Sequence, residues 1–372
     1  RIERNEFLPL LPMYAIGLSM GLLTAALLGV GSLLRAGRRW AWPAGLLYAG
    51  TETGVYVSFD DGANWQALQL NLPTTPVHDL AVKDGDLVAA THGRSFWILD
   101  DLTPLQQFTA EIAGADFHLY KPRAAYRTRG GGGGGGGGLA GQNPPNGAIL
   151  YYSLKDAPKD EVTLEILDAQ GKTVRKYSSK ADPAAAGAPG EGFGPPQAQR
   201  LPTEKGLNRF VWNLRYDDAS RYPGMVLWSG SVQGPLALPG NYQVKLTAVG
   251  RSETAPLTVQ LDPRVKTPAA DIQKQFDLLM QIRGRVNDVH DAINNMKDLR
   301  TQIQALRKRH EKNEKAKDLL AQADALEKKL APIEQELYQT KAQSGQDLLN
   351  WPIQLNNKLL ALAGVIESAD TA

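Results

Sequence analysis

Three pairs of adjacent aspartates stand out in the sequence: Asp60-Asp61, Asp100-Asp101 and Asp217-Asp218. Two carboxylates placed on either side of a glycosidic bond can hydrolyse it, one as acid and the other as base or nucleophile. Neighbours on a strand, however, point to opposite faces, so adjacency does not build such a pair. Each pair reads more simply as a turn or a strand end. The histidines, His78, His92, His118, His290 and His310, show neither HExxH nor HxH spacing. There is no phosphate-binding Walker sequence. With no cysteine in the chain, disulfides, thiolate metal sites and thiol catalysis are excluded. The glycine run from Gly130 to Gly138 matches GxGxxG only trivially, because the sequence shows neither a strand pattern leading into it nor a helix pattern opening after it. No catalytic, cofactor-binding or metal-binding residue is therefore assigned. The 41 basic and 39 acidic residues nearly cancel, which gives no reason to expect a nucleic-acid partner.

One local pattern is specific. The stretch SFDDGANW carries Ser58, Asp60, Gly62 and Trp65 in the order Ser-x-Asp-x-Gly-x-x-Trp. An Asp side chain can hold the backbone N–H groups of its own turn, glycine can take a positive φ, and tryptophan can pack beneath the hairpin. These residues read as a structural turn rather than as a catalytic or metal site. Short alternating segments surround it from 46 to 106, including GVYVSF, VHDLAVK, DLVAATH and SFWILD, separated by Gly- and Pro-containing turns.

The pattern resembles the Asp box of sialidase-like and sortilin-like β-propellers, the BNR repeats. The phrase THGRSFWILDDLTPL, 91 to 105, is similar to the closing blade of large bacterial exported proteins of that group. In those proteins a propeller is followed by a Gly-rich linker, a β-sandwich and a helical tail. That resemblance implies the same order here. It covers the chain from about residue 46 onward, but six strands and one Asp box make no closed propeller.

The elements that would surround this turn follow from periodicity. Leu8 to Leu34 is free of charge and long enough to span a bilayer, and Arg35, Arg38, Arg39, Trp40 and Trp42 follow it. It reads as a transmembrane anchor within residues 1–45, with Gly17 and Gly21 as a helix-packing face. Residues 107–146 read as a Gly-rich linker. Residues 147–265 read as an Ig-like β-sandwich with Trp212, Phe210 and Tyr242 in its core. Tyr222 and Trp228 are read as exposed aromatics that could stack on a carbohydrate. Residues 266–372 read as an antiparallel helical bundle or hairpin, because Ile272, Leu279, Val286, Val289, Ile293 and Met296 recur at helical spacing.

The expected fold class is thus mainly β with α: a membrane helix, a partial propeller-like region, a sandwich and a helical tail. The expected function is that of a non-catalytic, membrane-anchored interaction or scaffold protein, an accessory subunit with lipid and membrane-protein partners and no cofactor. Its bulk would lie on the periplasmic side of a bacterial inner membrane. The alternative is a fragment of an exported sialidase-like glycoside hydrolase that lacks its catalytic propeller.

Overall fold

A computed structural model describes residues 45–128, 143–180 and 199–368. The expected membrane helix, with Gly17 and Gly21, lies outside the described residues, as does the Gly130 to Gly138 run. Among the described residues no helix is long and apolar enough to cross a membrane. The expected fold class is corrected accordingly, to mixed sheets and helices with no transmembrane helix among them.

The first unit consists of two three-stranded antiparallel sheets. One holds β1 (Leu47–Thr51), β2 (Gly54–Ser58) and β3 (Gln66–Ala67); the other holds β4 (Val77–Lys83), β5 (Asp86–Thr91) and β6 (Phe96–Leu99). Alternation directs Val55 and Val57 of one sheet and Leu80, Leu87 and Leu99 of the other into a shared core closed by Leu102. Two short helices follow, α1 (Thr103–Gln107) and α2 (Ala110–Gly114).

The second unit is a two-sheet sandwich. β7 (Phe117–Leu119) and β8 (Ala125–Arg127) fall within the stretch read as linker, yet each joins a sheet. Three-residue strands carry too little alternation to be seen in a sequence. The larger sheet has the order β11-β10-β13-β14-β8 and the smaller β12-β9-β7. Here β9 is Ala148–Leu154, β10 Thr163–Leu167, β11 Thr173–Ser178, β12 Gly206–Trp212, β13 Gly240–Ala248 and β14 Arg251–Leu261. β9 is buried along its whole length because both of its faces are covered. Leu150, Tyr152 and Leu154 enter the sandwich core, while Ile149 and Tyr151 pack with Tyr120 under α2. Trp212, Phe210 and Tyr242 lie in the main core.

The tail consists of α3 (Ala269–His310), α4 (Lys317–Leu337) and α5 (Leu355–Glu367). α3 is one continuous helix of 42 residues, and both shorter helices pack on it.

Candidate functional site

The Asp-box turn is a closed set of local hydrogen bonds. Ser58 ends β2 fully buried. Its Oγ donates to Asp60 Oδ1 at 2.9 Å and accepts from the Gly62 amide at 2.9 Å. Asp60 also accepts from the Asn64 amide at 2.8 Å and from Asn64 Nδ2 at 2.6 Å. Gly62 has φ +90°, and the Trp65 and Leu47 side chains lie against the place a Cβ would take. The bond from the Asn64 side chain, followed by those from its amide and from Ser58, holds the Asp60 carboxyl below the usual aspartate range. A carboxylate engaged in this way is a turn-forming group with no proton to give near neutral pH.

The junction between the first unit and the sandwich is ionic. Arg123 donates to Asp86 at 2.7 Å, and Asp86 accepts the Asp101 amide at 2.8 Å. Gln107 and Lys121 exchange side chain-to-backbone bonds of 2.9 Å in both directions. Asp101 is buried, with φ +63° and a close bond from the Thr103 hydroxyl. Burial pushes its carboxyl up, against the bond from Thr103 and the charge of Arg123. Two of the sequence's carboxylate pairs thus turn out to anchor structure: Asp100-Asp101 here, and Asp217-Asp218 where Arg175 binds Asp218 at 3.1 Å.

The most elaborate assembly involves the connection between β12 and β13, residues 213–239, which forms a strap across the helical tail. Its backbone makes few regular strand bonds, and helix side chains supply the missing partners. Asn287 accepts the Ser220 amide at 2.8 Å, and His290 Nδ1 donates to the Ser220 carbonyl at 2.5 Å. Asn294 donates to the Arg221 carbonyl at 3.0 Å, and Lys297 to that of Pro223 at 2.6 Å. These four residues follow one another at steps of three and four, so one face of α3 carries them all. From α5, Asn357 takes the Trp228 amide at 2.8 Å and donates to the Ser229 carbonyl at 2.6 Å. Asn356 donates to the Tyr222 hydroxyl at 2.9 Å, and Arg215 pairs with Glu367 at 2.7 Å. Apolar groups complete the seam, with Ala219 and Val232 against Ile282, Val286 and Leu360. Gly230 passes so close to the Leu360 backbone that a Cβ would lie 2.4 Å from it.

Burial lowers the pKa of His290, against the bond that its Nδ1 donates to the Ser220 carbonyl, and its Nε2 meets no partner among the described residues. A cavity of about 250 Å³ lies in the seam, with Val232, Ile282 and Leu360 on its apolar side and Arg283 and Glu367 on its polar side.

Tyr222, read from the sequence as an exposed stacking aromatic, is buried in this seam; Trp228 is half-exposed. His78 and His92, distant in sequence, bring their rings within 5.0 Å of each other. Among the described residues no group of three or more metal-ligating side chains converges.

The remaining feature is an open sheet face. In the β4–β5–β6 sheet Val88 pairs with Ile98 and Ala90 with Phe96, on the side away from the core. Phe96 is 71% exposed and Ile98 39%. Comparison of the chain with family models, curated proteins and solved structures finds no match.

Proposed function

We propose that the chain is a non-catalytic interaction and scaffold protein that works outside the cytoplasm, offering the open β4–β5–β6 face to another protein. The observation that carries this reading is the pair Phe96 and Ile98, large apolar side chains turned to solvent beside Val88 and Ala90. Such faces mark sites of association. Two further features support it. The Asp60 carboxylate is consumed by its own turn. The strap and the Asp86–Arg123 contact join three units into a frame on which an exposed face keeps a fixed position. The extracytoplasmic setting rests on the resemblance of the Asp box and the 91 to 105 phrase to exported propeller proteins.

Affinity purification of the tagged chain from its own organism, beside a Phe96→Lys variant, tests the proposal. The variant is expected to lose a partner that the parent protein retains. An identical set of bound proteins, or hydrolysis of an aryl sialoside by the parent protein, would overturn it.

A further inference from the structure

We infer that α4 is a self-association surface, on which a second copy of this chain docks antiparallel about a two-fold axis through Leu326. The inference stands apart from the Phe96 face and goes beyond the scaffold reading.

α4 packs Leu330 and Leu337 against α3 and carries large apolar residues on its solvent side as well. Its buried residues are Ala323 and Glu334. Leu319, Leu326 and Ile333, by contrast, are 45%, 39% and 50% exposed. Ion pairs fix this orientation. Arg300 holds Glu334 at 2.5 Å and reaches Glu327 at 3.8 Å, and Arg307 holds Glu327 at 2.5 Å and also binds Asp324. Glu327 and Glu334 are thereby held to α3 beside Leu330 and Leu337, and Leu319, Leu326 and Ile333 point outward. They recur every seven residues, which is the spacing of a helix–helix seam. A solvated face would put polar groups at these positions.

The residues beside this line indicate what covers it. Three places after each ladder position come Gln322, Lys329 and Glu336, all exposed, and Lys315 continues the row in the 3-10 turn before α4. In an antiparallel pair centred on Leu326, Leu319 lies opposite Ile333 of the second copy. Equivalent flanks then face each other. Glu336 meets Lys315 of the second copy, and Lys329 meets Gln322. The row is complementary to itself in charge through Glu336 and Lys315, as an isologous two-fold contact requires.

The absence of cysteine makes the test direct. In the full chain, Leu326→Cys is expected to form a disulfide-linked dimer rapidly when diamide is added, because the axis brings the two thiols together. Leu319→Cys alone should not, since in this pairing its copies are 14 residues apart along the helix, about 21 Å. A mixture of Leu319→Cys and Ile333→Cys should cross-link. Sedimentation of the parent protein is expected to give a dimer, and Leu326→Lys a monomer with an unchanged circular dichroism spectrum. Glu336→Lys should weaken the dimer at least tenfold, and adding Lys315→Glu should restore it. A parent protein that stays monomeric, a dimer that survives Leu326→Lys, or Leu319→Cys that cross-links to itself as fast as Leu326→Cys would each overturn the inference. Should Leu326→Lys fail to fold, the cysteine variants decide.

Discussion

The Asn356 amide donates to the Tyr222 hydroxyl at 2.9 Å, and both residues are buried although 134 positions separate them. This bond closes the seam between the sandwich's strap and the last helix. Tyr222→Phe keeps the ring and its packing against His290 and Tyr338 but leaves the Asn356 amide without its acceptor. The expected loss is about 1–3 kcal/mol of folding stability, the cost of a buried donor left unsatisfied. Urea denaturation of both proteins checks it, and an unchanged midpoint would show that water replaces the hydroxyl.

Ser58→Ala removes the acceptor of the Gly62 amide in the Asp-box turn. A loss of about 1 kcal/mol is expected, since the Ser58 hydroxyl is buried while the Gly62 amide it serves is partly open to solvent. The Asp60 carboxyl, whose folded pKa lies below its ordinary value of 3.8, adds stability that is present above 3.8 and fades as the pH falls through the folded value. Asp60→Asn should therefore be less stable than the parent protein at pH 6 and approach it under strong acid. A constant gap across that range contradicts the assignment.

His290 works in the opposite part of the scale. Its folded pKa lies below 6.5, so the neutral ring adds stability that is complete above 6.5 and is lost as the pH falls from there toward the folded value. Protonation would set a new N–H on Nε2 in an apolar site. Stability of the parent protein is expected to drop between pH 7.5 and 5.5, and His290→Gln, which can still donate to the Ser220 carbonyl, should lose most of that slope. Equal slopes in the two proteins would remove His290 from the account.

The parts legible in the sequence are those with a period or a turn signature. The hairpin DAQGK announces itself because Asp168 accepts the Gln170 and Lys172 amides at 3.0 and 2.9 Å, a local motif. β12 and β13 alternate cleanly, and the apolar stripe from Ile272 to Met296 marks α3. The strap was not legible. It has no period, and its partners Asn287, His290 and Asn294 sit as isolated polar residues within a helix whose visible signal is apolar. Tyr222 looks exposed in a loop rich in Gly and Pro, and only the tertiary contact with Asn356 and His290 buries it. The transmembrane expectation came from hydropathy and from the arginines and tryptophans that follow the run, and it concerned residues outside those described.

The strap also orders events in time. Trp228 gives its amide to Asn357, and Ser220 gives its carbonyl to His290. Those acceptors and donors are translated 129 and 70 residues after the loop they serve. During synthesis the sandwich can close its sheets while this one loop remains wet, because the side chains that will replace its water do not yet exist. Completion of the fold then waits on closure of a long chain segment, a slow, non-local step. For that interval a nascent sandwich presents Tyr222, Val232 and the bare backbone between them to chaperones and proteases, and the arrival of α5 ends the exposure.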